Sequence, residues 1–179
     1  MSVTKIAING FGRIGRNAFK IAFERTDIEI VAINDLTDNK TLAHLLKHDS
    51  SYGTYEHKVD FDEDNIIVNG KSIKVLAEKE PASLPWKDLG VDVVIESTGF
   101  FVDPALARAH IDGGGAKKVV ISAPAKGEGA QTIVLGVNED KIASAETDIF
   151  SNASCTTNCI TPVMTVLESN FGIEKAMMT

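Results

Sequence analysis

Apolar residues fall along this chain in short runs, each closed by glycine or a turn former, with helical spacing between them. TKIAING, residues 4–10, is a brief apolar run ending in glycine. Beyond it Ile14, Ala18, Ile21 and Ala22 fall at i, i+4, i+7 and i+8, which places them on one face of a helix. DIEIVAIND (27–35), VDVVIESTG (91–99) and AKKVVISAP (116–124) are apolar almost throughout, and QTIVLGV (131–137) is a fifth candidate strand. Strands buried on both faces read as continuous runs of this kind. PALARAHID (104–112) supplies a helix between two of them. Repeated strand–helix–strand units predict an α/β fold: a mainly parallel sheet with helices on both faces.

Two stretches depart from that rhythm. Residues 55–76 alternate more and contain Asn69-Gly70, which predicts inserted antiparallel hairpins. The last segment predicts a helix from Cys155 to Phe171, ending at Gly172 and kinked by the internal Pro162. EKAMMT, residues 174–179, reads as the beginning of a further strand, so the sequence reads as a portion of something longer.

Composition narrows the functional classes. The 179 residues are 44% hydrophobic and 24% charged, ordinary for a soluble globular chain with a real core. A net charge of −7 without a Lys/Arg cluster argues against nucleic acid and against anionic membranes. No stretch approaches the ~20 apolar residues of a membrane helix, and MSVTKIAING carries no export signal. Two cysteines in such a chain read as reduced thiols, so a cytoplasmic location is expected.

Chemistry is concentrated in two places. The first is Gly10-x-Gly12-x-x-Gly15, which follows an apolar strand and opens a helix. Gly10 serves a tight turn, Gly12 lets the backbone approach a pyrophosphate, and Gly15 lets helix and strand pack closely. The phosphates would meet unpaired N–H groups and the positive end of the helix dipole. Asp35 closes the second strand, where a carboxylate accepts hydrogen bonds from the adenosine ribose hydroxyls. Its charge opposes a 2′-phosphate, so NAD is favoured over NADP. The plainer alternative is a glycine turn with Asp35, or Asp38, capping a helix.

The second place is SNASCTTNC, residues 151–159. Two cysteines four apart supply only half of a zinc shell, and no histidine stands near them in the sequence, so no metal site is expected. The same spacing along one helix seldom suits a disulfide. Cys159, one turn into the helix beside Ile160, reads as a buried packing residue. Cys155 reads as a nucleophile in a helix's first turn, where N–H groups stabilise an anionic sulfur and can receive an oxyanion. Asn152 or Ser154 would cap that helix. A general base is missing, for His44, His48, His57 and His110 read as exposed or loop histidines.

INGFGRIGR, INDLTD, LLKHDSSYG, GVDVVIESTGFF, AKKVVISAPAKG, LGVN and SNASCTTNCITP together resemble the N-terminal half of phosphorylating glyceraldehyde-3-phosphate dehydrogenases, from residue 8 to 162. The resemblance implies a Rossmann-like NAD-binding domain over residues 1–154 and the start of a catalytic domain, the nucleophile helix, over 155–179. It implies NAD-dependent oxidation of glyceraldehyde 3-phosphate with inorganic phosphate to 1,3-bisphosphoglycerate, through a thioester on Cys155. Asn9, Gly10, Gly12, Arg13, Ile14, Gly15, Asp35, Lys79, Ser97, Thr98, Gly99 and Ser122 match cofactor contacts. Ser154 and Thr156 match ligands of the substrate phosphate or inorganic phosphate. NDL after the second strand resembles the NAD type rather than the photosynthetic NADP type. The family forms homotetramers.

In the family a Thr-Val-His run follows MMT, which would place the histidine that activates the cysteine three residues past Thr179. The expectation is therefore little dehydrogenase activity from these 179 residues alone. Two other readings stand beside it: a non-catalytic NAD-binding module, and an erythrose-4-phosphate dehydrogenase sharing the cysteine motif.

Overall fold

A computed structural model describes residues 3–178; Met1, Ser2 and Thr179 lie outside the described residues. The glycine loop joins β1 (Thr4–Asn9) to α1 (Arg13–Phe23), and β2 (Ile28–Asn34) leads into α2 (Asn39–Lys47). A small hairpin of β3 (His48–Asp49) and β4 (Gly53–Thr54) follows. Then come β5 (Val59–Phe61), β6 (Asn65–Val68), β7 (Lys71–Leu76) and β8 (Val93–Glu96). The second half holds α3 (Pro104–Ala107), α4 (Ala109–Asp112), β9 (Lys118–Ile121), β10 (Gln131–Thr132), β11 (Ile149–Ser151) and α5 (Cys155–Phe171).

Nine strands form one sheet in the order β10-β11-β9-β8-β1-β2-β7-β6-β5. Every pairing from β10 to β7 is parallel, and β5 and β6 add antiparallel strands at the far edge. The α/β expectation and the inserted hairpins are both met. Asn69 and Gly70 have φ of 51° and 81° and link the paired Val68 and Lys71, the two-residue hairpin turn that needs left-handed residues.

Helices and loops cover both faces of the sheet. On one face Ile6, Ile8 and Ile33 pack with Phe19 and Ala22 of α1 and Leu42 and Leu46 of α2. On the other, Ala7, Ala32, Val94 and Val119 pack against Trp86, Leu84 and Ala107. The alanines let Trp86, fully buried, lie close on the strands.

Four expectations need correction. The buried face of α1 is Gly15, Phe19 and Ala22; Ile14 and Ile21 are 54% and 69% exposed. Both stripes fit helical spacing, but only the one bearing Phe19 meets the aromatic cluster with Phe11. QTIVLGV forms only a two-residue strand, because the chain turns after Ile133 with Asn138 accepting from Val134 N–H. PALARAHID is two short helices joined at Arg108. Residues 172–178 form no strand, since none of them pairs with a neighbour among the described residues.

The nucleophile helix does run from Cys155 to Phe171, continuous through Pro162, and stops at Gly172, where φ is 73°. Pro162 cannot donate to the Asn158 carbonyl one turn back. None of the helix's residues is buried.

Asp92 joins three strands at the opposite end of the sheet. Its carboxylate accepts from Lys117 Nζ at 2.6 Å and from Lys5 N–H at 2.9 Å, and these contacts hold its pKa below the usual carboxylate range. A depressed carboxyl contributes stability above its unfolded pKa and loses it as pH falls through the folded value. The stability difference between wild type and Asp92→Asn is therefore expected to be present near neutrality and to shrink as pH falls below about 4. Urea unfolding at a series of pH values measures it.

Candidate functional site

The parallel strands all end on one line. Thr132, Ser151, Ile121, Glu96, Asn9, Asn34 and Leu76 stand in register across β10, β11, β9, β8, β1, β2 and β7. Strand order reverses at β1, whose chain successor β2 lies on one side while β8 lies on the other. Ligands of open parallel sheets bind at such a crevice, outside the carboxyl ends of the strands.

The glycine loop closes over this crevice. Gly10 has φ of 88°, and a Cβ there would lie 2.6 Å from the Thr98 nitrogen. A Cβ on Gly15 would lie 2.1 Å from the Gly10 carbonyl oxygen and 3.1 Å from Ile8 Cγ2. Gly12 differs: among the described residues beyond its chain neighbours, no atom lies within 4 Å of where its Cβ would stand. It caps α1 without any side-chain hydrogen bond, so the first N–H groups of that helix face an open approach. Two glycines thus serve packing and the third borders open space.

Asp35 braces the loop. Its Oδ2 accepts from Phe11 N–H at 2.7 Å and its Oδ1 from Thr37 N–H at 3.0 Å. The Arg16 guanidinium donates to the Phe11 carbonyl at 3.0 Å, so both peptide groups of Phe11 are held. Helix capping falls to Asp38, which accepts from Thr41 N–H and begins α2. Asp35 opens instead on a cleft of about 610 Å³ walled by Leu36, Phe61, Leu76 and Ala77. Its rim also carries the polar residues Thr37, Asp38, Asn39, Lys40, Asp62 and Glu63.

At the same carboxyl edge β11 runs into α5. Ala153 takes φ of 58°, a left-handed conformation that is costly for a residue with a Cβ, and its N–H is held by Ser151 Oγ at 3.2 Å. Ser154 then caps the helix, accepting from Thr157 N–H at 2.9 Å. Its hydroxyl also lies 2.8 Å from Thr156 Oγ1. Cys155 is the first helical residue and is exposed.

A family model described as glyceraldehyde 3-phosphate dehydrogenase, NAD binding domain, matches residues 4–104, and the C-terminal domain model of the same enzyme matches 154–179. The chain belongs to the glyceraldehyde 3-phosphate dehydrogenase family. A dehydrogenase of this name from Bacillus cereus is 55% identical over 177 residues, 99% of this chain and 52% of its own length. Those of Streptomyces coelicolor and Thermotoga maritima are 58% and 56% identical over 176 and 179 residues. The chain spans about half the length of the curated relatives it matches.

Within this dehydrogenase-family frame the expected site residues separate into two groups. Gly12, Arg13, Ile14, Lys79, Gly99, Cys155 and Thr156 are exposed around the carboxyl edge, and Ser122 and Ser154 are half-buried there. Others face inward. Ser97 Oγ donates to the Gly10 carbonyl at 2.7 Å, and Asn9, 2% exposed, has its side chain committed to Glu96 and Asn34. Thr98 gives both its N–H and its hydroxyl to Glu96.

Two readings of the sequence are overturned. Cys159 is exposed rather than buried, because α5 packs none of its residues into the core. Accessibility therefore does not separate the two thiols; position does. Cys155 is expected to be alkylated several-fold faster than Cys159, since only it stands at the helix N-terminus. Mass spectrometry after brief iodoacetamide treatment reads this out, and faster labelling of Cys159 would contradict it. His110 is the second reversal: it is fully buried and hydrogen-bonded to Trp86 and Glu96.

Reading the sequence also missed Ser151 and Asn34. Ser151 Oγ donates to the Ala123 carbonyl and accepts from Ala125 and Ala153 N–H, tying SAPA to the cysteine loop. Asn34 clamps both backbone groups of Glu78 beside Lys79. A polar residue at a strand end inside an apolar run was the available signal.

Proposed function

We propose that this chain binds NAD along the carboxyl edge of its sheet and presents Cys155 there as the nucleophile of a phosphorylating aldehyde dehydrogenase. Glyceraldehyde 3-phosphate and inorganic phosphate are the substrates, and 1,3-bisphosphoglycerate is the product. The observation carrying the reading is the shared register line, which brings the glycine loop, Asp35 and the N-terminus of α5 to one side of the molecule.

The residues present fit a dinucleotide. The uncapped start of α1 behind Gly12 suits a pyrophosphate, Asp35 suits a ribose, and the apolar side of the adjoining cleft, Leu36, Phe61, Leu76 and Ala77, suits adenine. Bound NAD would supply the hydride acceptor. Cys155 Sγ adds to the aldehyde carbon, and the new oxyanion lies toward the Cys155 and Thr156 N–H groups, which have no intrahelical acceptor at this helix start. Loss of hydride leaves a thioester on Cys155. Phosphate oxygen attacks that carbonyl, the C–S bond breaks, and the acyl phosphate departs with the thiolate restored. Ser154 and Thr156, whose hydroxyls lie 2.8 Å apart beside Cys155, would hold phosphate oxygens.

On this reading residues 1–154 are the NAD-binding unit and 155–179 begin the catalytic unit. The full-length enzyme is a cytoplasmic homotetramer with no nucleic-acid or membrane partner. Calorimetric titration of the 179-residue chain with NAD tests the cofactor half. Saturable binding supports the reading, and no heat at millimolar NAD overturns it.

A further inference from the structure

Beneath the crevice lies a buried carboxylate with no role in the steps above. Glu96 is 1% exposed and its two oxygens accept four hydrogen bonds. Oε1 accepts from Thr98 N–H at 2.8 Å and from the Thr98 hydroxyl at 2.5 Å. Oε2 accepts from Asn9 Nδ2 at 2.6 Å and from His110 Nε2 at 3.0 Å.

On the core side the direction of each bond is set by two groups that can only donate. At one end Glu78 N–H donates to Asn34 Oδ1, so the Asn34 amide nitrogen must face Asn9 Oδ1. That leaves the Asn9 amide nitrogen for Glu96. At the other end the Trp86 indole N–H donates to His110 Nδ1 at 3.0 Å, which puts the ring hydrogen on Nε2, facing Glu96. All donors converge on one residue that has only acceptors.

We infer that Glu96 is a positioning residue for the dinucleotide site: as the acceptor terminus of this network, it fixes the Ser97–Gly99 turn and, through it, the glycine loop. The inference rests on the cofactor reading above. The Ser97–Thr98 backbone is the surface on which Gly10 packs, 2.6 Å from where a Cβ would stand. Ser97 Oγ bonds the Gly10 carbonyl from the same turn. Phe100 N–H in turn donates to the Thr98 hydroxyl, which completes the turn. Releasing Thr98 therefore moves the loop that receives the pyrophosphate.

An amide cannot replace this carboxylate, although it has the same shape. In Glu96→Gln one oxygen becomes an NH2 group facing donors. If the remaining oxygen serves Asn9 and His110, the NH2 meets Thr98, whose hydroxyl can rotate to accept but whose N–H cannot. The opposite orientation would set the NH2 against two fixed donors, Asn9 Nδ2 and His110 Nε2, so the lesion falls on the turn and spares the core side. Trp86→Phe does the reverse: it removes a donor far from the turn and leaves Thr98 held.

The test compares wild type, Glu96→Gln and Trp86→Phe by NAD calorimetry, urea unfolding and amide hydrogen exchange. Glu96→Gln is expected to weaken NAD by about tenfold or more and to speed exchange at Thr98. Trp86→Phe is expected to lower stability while holding the NAD Kd within about twofold. Wild-type affinity in Glu96→Gln, or an equal loss in Trp86→Phe, overturns the inference. If wild type does not bind NAD, the cofactor reading falls by itself. Exchange at Thr98 still decides the positioning role, and unchanged exchange refutes it. Should Glu96→Gln fail to fold, Glu96→Asp, which keeps the charge but falls one methylene short of Thr98, gives the same readouts.

Discussion

Gly15→Ala is expected to destabilise the protein by about 3 kcal/mol, the upper range for forcing extra volume into a packed site. Its Cβ would stand 2.1 Å from the Gly10 carbonyl oxygen, a backbone atom that cannot swing aside. Relief would require α1 to lift from β1, and Phe19 and Ala22 on the same helix face anchor it in the core. A loss of that size lowers Tm by roughly 10 °C in a domain of this size. Gly12→Ala is the control, for no described residue beyond its chain neighbours comes within 4 Å of its Cβ. It should change stability by no more than about 1 kcal/mol, the cost of a poorer helix cap, while obstructing the pyrophosphate and weakening NAD. Trp86 is the single tryptophan and fully buried, so its fluorescence reports urea unfolding of both variants. Wild-type stability in Gly15→Ala would show that α1 and β1 do not approach as described.

Asp35→Ala is expected to weaken NAD by about one to two powers of ten and to bring NAD and NADP affinities together. Two losses add. The ribose hydroxyls lose their charged acceptor, and Phe11 N–H loses the carboxylate that holds the glycine loop at 2.7 Å. NADP loses less, because its 2′-phosphate is repelled by the same charge in wild type. Titrating both cofactors against both proteins measures the change. Equal affinities for NAD and NADP in wild type would refute the ribose role. Asp35→Asn separates the two losses, since it keeps one oxygen for a backbone donor while removing the charge.

Much of the fold was legible because its determinants are local. Continuous apolar runs at 27–35, 91–99 and 116–124 read as strands covered on both faces, and parallel β2, β8 and β9 resulted. Asn69-Gly70 named its own turn, because few other pairs take φ of 51° and 81° together. The face of α1 was misread for a physical reason. Ile14 and Ile21 satisfy helical spacing as well as Phe19 does, and only the position of Phe11 selects between the stripes. Cys159 was misread because burial of a helical residue depends on what packs there, and α5 packs little.

By itself, then, the sequence determined the strand–glycine loop–helix at the start, the acid ending β2 and the cysteine at the start of α5, whose end at Gly172 was also readable. Local conformational needs set the loop and the helix ends: a left-handed turn at Gly10, a serine cap before Cys155, a stop at Gly172. Tertiary structure alone decided what supports them. Asn9 meets Glu96 across 87 positions and Asn34 across 25, while Trp86 meets His110 across 24. No spacing rule reports such contacts, because they exist only once the parallel register aligns the strand ends. That register also turns a histidine expected in a loop into a buried donor, and a glutamate in an apolar run into the acceptor beneath the crevice.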